Sequence, residues 1–285
     1  MRRLLFPLLL LLVLAGCTSS PATPTPAVLT PTAAATAIAT RQPTNPPAPA
    51  TPTSTPTPAP VPDAGDAWQP LAAGVEVLRT GDGLSALRHA PKVVQYSAQF
   101  QPDPNQGRSV GGWLSADPQA IAAINCGFYR DDRGAYRHIG LLMTEGEALS
   151  KLRAGWGGVL IVRNGEAAVV PKPKRLIAPA SLGLQGWPML IENRTRIPQL
   201  NAGDLARRTA VGVDNQGRVV WVVAPLGMTL ADFAQRLLEQ DLGLVEAVNL
   251  DGGASTGLRW RAQPNARMIG PDSLPIPCAV LLSPA

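Results

Sequence analysis

The chain has 285 residues, with 25 Lys and Arg against 20 Asp and Glu for a formal net charge of +5. That balance is only mildly basic, no Lys/Arg block stands out and aromatics do not interleave with basic residues, so composition argues against a nucleic-acid partner. The two histidines, His89 and His138, are too few and too far apart to read as a metal site by ligand spacing.

The N-terminus follows the grammar of export. Arg2 and Arg3 precede an apolar run from Leu4 to Leu14 broken only by Pro7, shorter than the roughly 20 residues a helix needs to cross a bilayer. Leu14-Ala15-Gly16-Cys17 matches the bacterial lipobox. On that pattern residues 1–17 are a lipoprotein signal, and Cys17 becomes the diacylated N-terminus. Residues 18–65 hold 13 of the chain's 30 prolines among Thr, Ala and Ser, with charge only at Arg41 and Asp63. Such a segment has too little apolar surface to offset the entropy of ordering it, and reads as an extended tether. At about 3.1 Å per residue it would reach on the order of 100 Å. The implied location is the extracytoplasmic face of the cell envelope, with the membrane as partner through the lipid.

Residues 66–285 are long enough for one sizeable core. Short apolar runs alternate with Gly, Pro and Asn, which predicts many strands and few helices. The strand candidates are Lys92–Phe100, Ile121–Asn125, Gly158–Val162, Glu166–Val170, Arg208–Val213, Val219–Ala224, Glu246–Leu250 and Cys278–Leu282, with a hairpin at Asn215-Gln216-Gly217. Asp117-Pro118 reads as an N-cap and first helical residue of a short helix ending near Ala122. A second helix begins at Thr229, with Asp232 completing a capping box and Gly243 as its C-terminal cap. Its Leu230, Phe233, Ala234, Leu237 and Leu238 fall on one stripe. The fold class is α+β: a single domain with a mixed β-sheet core and few helices packed on it. After Cys17, the remaining cysteines are Cys126 and Cys278. In an oxidising compartment a disulfide between them would constrain the unfolded chain, while their apolar surroundings suit buried thiols equally well.

Three segments stand out from plain strand and turn. Ala123 to Tyr129 (AINCGFY) ends an apolar strand on Asn125, followed by small residues and the aromatics Phe128 and Tyr129. Arg207-Arg208-Thr209-Ala210 brings two cations and a hydroxyl into a strand. Asn249 to Thr256 (NLDGGAST) delivers Asn249 and Asp251 on one strand face and then breaks into the Gly252-Gly253 turn. Glycines at strand ends let backbone N–H groups approach an anion, and an arginine nearby completes a phosphate clamp.

Together with Gly227-Met228-Thr229-Leu230 and Gly186-Trp187-Pro188-Met189-Leu190, these strings resemble the phosphodiester glycosidase family, in the family's order from about residue 90 onward. Cys126, Tyr129, Trp187 and Ala254 depart from its usual pattern. The resemblance implies an enzyme that hydrolyses a sugar-1-phosphodiester bond in envelope or exopolysaccharide glycans. Phosphate leaves readily once its charge is neutralised, so anion stabilisation outweighs general-acid help. On this reading Arg208 takes the phosphate, aided by Gly252, Gly253 and Ser255. Asp251 stabilises the oxocarbenium-like centre or activates water. Asn125, Thr209 and Asn249 orient substrate oxygens, and Phe128 or Tyr129 walls the sugar. No cofactor is implied, although Asp131, Asp132 and Asp214 leave a divalent cation open. The competing reading is a non-catalytic carbohydrate-binding envelope lipoprotein.

Overall fold

The computed structural model describes residues 67–175, 179–262 and 267–285, all within one compact unit. The signal segment, Cys17 and the tether to residue 65 lie outside the described residues. Three sheets dominate: one of eight strands, two of five, and a separate two-stranded ribbon. All eight expected strands are present, as Val94–Phe100, Ala122–Asn125, Gly158–Arg163, Glu166–Pro171, Ala206–Asp214, Val219–Met228, Leu244–Asn249 and Cys278–Pro284. The Lys92 end is shortened because Pro91–Val93 forms a 3-10 turn.

The pattern along Val219–Ala224 explains the layering. Val219, Trp221 and Val223 face a central core, while Val220, Val222 and Ala224 face the opposite side. Both faces are covered, so the strand reads as an unbroken apolar run. In the central core, Val211, Val213 and Trp221 from the eight-stranded sheet meet Ile124, Val280 and Leu282 from one small sheet. Leu142, Leu160 and Leu184 come from the other. The far face of the large sheet carries the helix Leu230–Glu239 through Leu230, Phe233, Ala234 and Leu237.

Three expectations change. Every strand pairing among the described residues is antiparallel, so the sheets are not mixed and the domain is strand-dominated. The Val219–Met228 and Leu244–Asn249 strands do run the same way, with the helix between them, but Ala206–Asp214 lies between them in the sheet and pairs antiparallel with each. Asp117-Pro118 opens no helix. The short helix is Val110–Ala116, capped by Ser109 Oγ accepting from Gly112 N, and Asp117 is its C-cap. The Asp117 carboxylate instead accepts from Gln119 N at 2.9 Å, a local turn that competes with a helical start. The longer helix is N-capped by Thr229 and Asp232 as expected. It ends at Glu239 with Gln240 as cap, and Gly243, at φ +71°, serves the turn into the next strand.

Candidate active site

The central side chain is Asn125. It sits at the end of Ala122–Asn125, a strand buried at all four positions between Leu258–Ala262 and Cys278–Pro284. Its Nδ2 donates to Asp251 O at 2.8 Å and Cys126 O at 3.2 Å. Its Oδ1 accepts from Thr209 Oγ1 at 3.0 Å and Gly257 N at 3.1 Å. Two donors and two lone pairs fill the capacity of an amide. The side chain therefore ties a small sheet to the large one and holds the backbone of Asp251. Thr209, fully buried, also lies 3.3 Å from the Thr256 hydroxyl. Leu250 N donates to Thr209 O at 2.9 Å, which closes the attachment of the Asp251 loop.

Beyond Leu250 the chain leaves the sheet. The Gly252 N–H donates to Asp251 Oδ1 at 3.0 Å, and Gly253–Ser255 makes one 3-10 turn. Gly252 is required by close approach: a Cβ there would fall 2.7 Å from Arg207 O. Burial pushes the Asp251 carboxyl up from its ordinary range, opposed by hydrogen bonds from the Ser255 hydroxyl and the Gly252 N–H. The Ser255 hydroxyl also partners Tyr129, whose phenol is raised by burial and by the nearby Asp251 charge. Asp251, Ser255 and Tyr129 thus form one polar cluster.

The two arginines part company. Arg207 Nε donates to Gly253 O at 2.7 Å, which places its guanidinium at the glycine turn. It forms no salt bridge among the described residues. Arg208 Nε donates to Met228 O at 2.9 Å and its Nη2 to Asp204 O, within a bulge where Arg208 pairs with Ala224 and Ala206 with Met228. Successive strand residues face opposite sides. Thr209 faces Asn125, and Arg208, next to it in the strand, faces the other side. Arg207 stands at the bulge, where alternation lapses, and its bond to Gly253 O is what brings it to the Asp251 loop.

Asn249 is also drawn elsewhere: its Nδ2 donates to Trp187 O at 2.8 Å, while its Oδ1 is buried without a hydrogen-bond partner among the described residues. Phe128 meets Trp156 edge-on at 5.8 Å between centroids. Cys126 and Cys278 form a buried disulfide with Cα atoms 5.5 Å apart, one residue beyond the paired Asn125 and Ala279. Gly127 passes so close to the next sheet that a Cβ would fall 2.5 Å from Gln185 O.

Two polar residues, the buried Gln185 and the half-buried His138, carried no sequence signal of their role. The Gln185 amide binds four backbone groups: it accepts from Leu141 N and Arg153 N and donates to Arg153 O and Trp156 O. His138 bonds Gly140 O through Nδ1 at 3.0 Å, and burial pushes its pKa down to about 4, so it is neutral at pH 7. Its Nε2 is buried without a partner among the described residues and lies beside Gly127. No group of three or more His, Cys, Asp or Glu suited to a metal ion occurs among the described residues, and none of their helices is long and apolar enough to cross a membrane.

The profile of the phosphodiester glycosidase family matches residues 118–280, more than half of the chain, and the chain belongs to that family. The solved catalytic domain of zebrafish N-acetylglucosamine-1-phosphodiester alpha-N-acetylglucosaminidase, auto-inhibited by its pro-peptide, is similar in fold. It has a TM-score of 0.54 and 17% identity, covering 73% of this chain and 81% of that one. A hypothetical protein from Synechocystis aligns at TM-score 0.48 and 14% identity, over 77% of this chain and 61% of its own. No curated protein matches by sequence.

The role of Asn125 as a brace predicts a stability effect. Asn125→Ala leaves Gly257 N–H and Asp251 C=O buried and unpaired, and should cost about 2–4 kcal/mol in urea denaturation. A loss under about 0.5 kcal/mol would mean these groups reach water and Asn125 is free to act on a ligand.

Proposed function

We propose that this protein hydrolyses the bond between a sugar's anomeric carbon and a phosphodiester. The observation that carries the reading is Asp251: a carboxylate raised by burial, held at a glycine turn, with the Arg207 guanidinium on the same turn. Family membership supports the reaction class. In this mechanism water attacks the anomeric carbon and Asp251 accepts its proton. The bond between the anomeric carbon and the bridging phosphate oxygen breaks, and the phosphate monoester leaves with that oxygen and the bonding electrons, its charge balanced by Arg207. A phosphate leaving group needs little protonation, which agrees with one carboxylate in the cluster instead of the two of ordinary glycosidases. Arg207 takes the part that the sequence pattern assigned to Arg208. Asn125 and Thr209 position the Asp251 loop, and Ser255 and Tyr129 orient the carboxylate.

Kinetics on the full chain with N-acetylglucosamine-1-phosphodiester and glucose-1-phosphodiester substrates test this. Asp251→Asn should lower kcat/KM by about 10²–10⁴, and Arg207→Ala by about 10²–10³. Arg208→Ala should instead act chiefly through stability. Because the carboxylate must be ionised to accept a proton, activity should rise with pH through the Asp251 pKa. The acid limb should then lie above the ordinary Asp value of about 3.9. Full turnover by a folded Asp251→Asn protein would defeat the assignment. Saturable glycan binding without released sugar would favour the binding-module reading.

We also propose that the domain is held outside the cytoplasm by lipid on Cys17. The lipobox, the proline-rich segment after it and the Cys126–Cys278 disulfide support this, since disulfides persist in oxidising compartments. In a bacterial host, labelled fatty acid should enter the wild-type chain and not Cys17→Ser. Equal labelling of both would overturn the anchor.

A further inference from the structure

Two tryptophans that the hydrolytic cluster does not use lie beside it. Trp156 and Trp187 have ring planes within 4° of parallel and centroids 6.2 Å apart. The chain brings them together by glycine contact. Gly157 follows one and Gly186 precedes the other, and a Cβ on Gly157 would fall 1.8 Å from Gly186 O. The two backbones touch there, which no residue with a side chain would allow. The turn bearing Trp156 is then fixed by Gln185, whose fully buried amide holds Arg153 N, Arg153 O and Trp156 O. The turn bearing Trp187 is fixed by Asn249: Trp187 N donates to Asn249 O at 2.8 Å and Asn249 Nδ2 donates back to Trp187 O at 2.8 Å.

Both attachments lead to the reaction centre. Asn249 is two residues from Asp251. Phe128, edge-on to Trp156, belongs to the loop whose Cys126 carbonyl accepts from Asp251 N at 3.4 Å. Yet Trp187 is 48% exposed, an unusual state for the largest apolar side chain when the backbone around it is so firmly held. Packing alone explains why the rings touch their neighbours. It does not explain why an indole on so firmly held a turn stands half in water beside the Asp251 loop. A pyranose has hydroxyls around its rim and C–H groups on its faces, so a fixed, exposed indole is a surface that its apolar face can cover. Arg153 adds a cation at the same place, its guanidinium 5.0 Å from the Trp156 centroid.

We propose that Trp156 and Trp187 form a carbohydrate-stacking subsite next to Asp251, with Arg153 facing a further negative charge. The substrate class is then a phosphate-containing glycan longer than one sugar and its phosphate, with a second pyranose ring on the tryptophans. This rests on the hydrolytic reading of Asp251 for its meaning, and the ring contact itself is testable without turnover.

The test is isothermal titration of the full chain with chitotetraose and maltotetraose, in wild type, Trp187→Ala and Trp187→Phe. At least one tetrasaccharide should bind the wild type. Trp187→Ala should weaken it about tenfold, and Trp187→Phe should restore most of the affinity. Should Trp187→Ala not fold, Trp187→Leu replaces it, since it keeps apolar bulk and removes the flat ring. Binding of neither sugar by wild type, or equal binding by the ring-deleted variant, would overturn the subsite. Lost turnover in Asp251→Asn with unchanged binding in Trp187→Ala would remove the subsite and leave the hydrolytic reading intact. Ring-dependent binding with no hydrolysis of any phosphodiester would do the reverse.

Discussion

The four hydrogen bonds of the Asn125 side chain are the constraint on which the site depends. An amide buried between two sheets is costly unless all its polar groups are met. Here each is met by a different segment: the Cys126 carbonyl, the Asp251 carbonyl, the Thr209 hydroxyl and the Gly257 N–H. The strand carrying Asn125 belongs to one small sheet and Thr209 to the large one. The amide thereby fixes the distance between the sheets at the point where the Asp251 loop emerges. A site of this kind gains its precision from strands and not from the loop that bears the carboxylate.

The features around Asn125 act in the same direction. The Cys126–Cys278 disulfide lies one residue beyond the last paired position of that strand and clamps it to its neighbour. The glycines at 127, 186 and 252 each let backbone come within a distance that a Cβ would forbid. They draw the AINCGFY loop, the Trp187 turn and the Asp251 turn into one region. Within this frame stand few polar groups: the half-buried Asp251 carboxylate, the Ser255 and Tyr129 hydroxyls beside it, and the Arg207 guanidinium on the glycine turn. On the hydrolytic reading proposed above, a half-buried carboxylate beside a cation suits an anionic leaving group, because positive charge already stands where negative charge would develop.

Much of this was legible in the sequence, for identifiable reasons. Stretches buried on both faces, such as Val219–Ala224, announce themselves as continuous apolar runs rich in valine, and the Thr229 helix announces itself by cap and stripe. The three segments that meet around Asn125 stood out because Asn, Asp and paired glycines are conspicuous at strand ends. The errors came where one local signal stood in for a three-dimensional one. Asp117-Pro118 has the chemistry of a helix start, but the aspartate bonds Gln119 N, and the helix runs from Val110, behind its Ser109 cap, to Ala116, just before Asp117. Arg208 is as conspicuous as Arg207 in the sequence, yet its guanidinium bonds Met228 O and Asp204 O while that of Arg207 reaches Gly253 O. Asn249 and Asp251 share a period of two, but the strand ends at Asn249, so the period no longer governs Asp251. The buried amide of Gln185 and the pairing of Trp156 with Trp187 join residues about 30 positions apart, and no local pattern reports such contacts.

The central claim is that Asp251 and Arg207 face, respectively, the anomeric carbon and the phosphate of one substrate. A crystal structure of Asp251→Asn with an uncleaved N-acetylglucosamine-1-phosphodiester tests it most directly. The account predicts phosphate oxygens within hydrogen-bond reach of the Arg207 guanidinium over the Gly252-Gly253 turn, and the anomeric carbon turned toward residue 251. A phosphate bound at Arg208, or a sugar whose anomeric carbon lies away from residue 251, would contradict it.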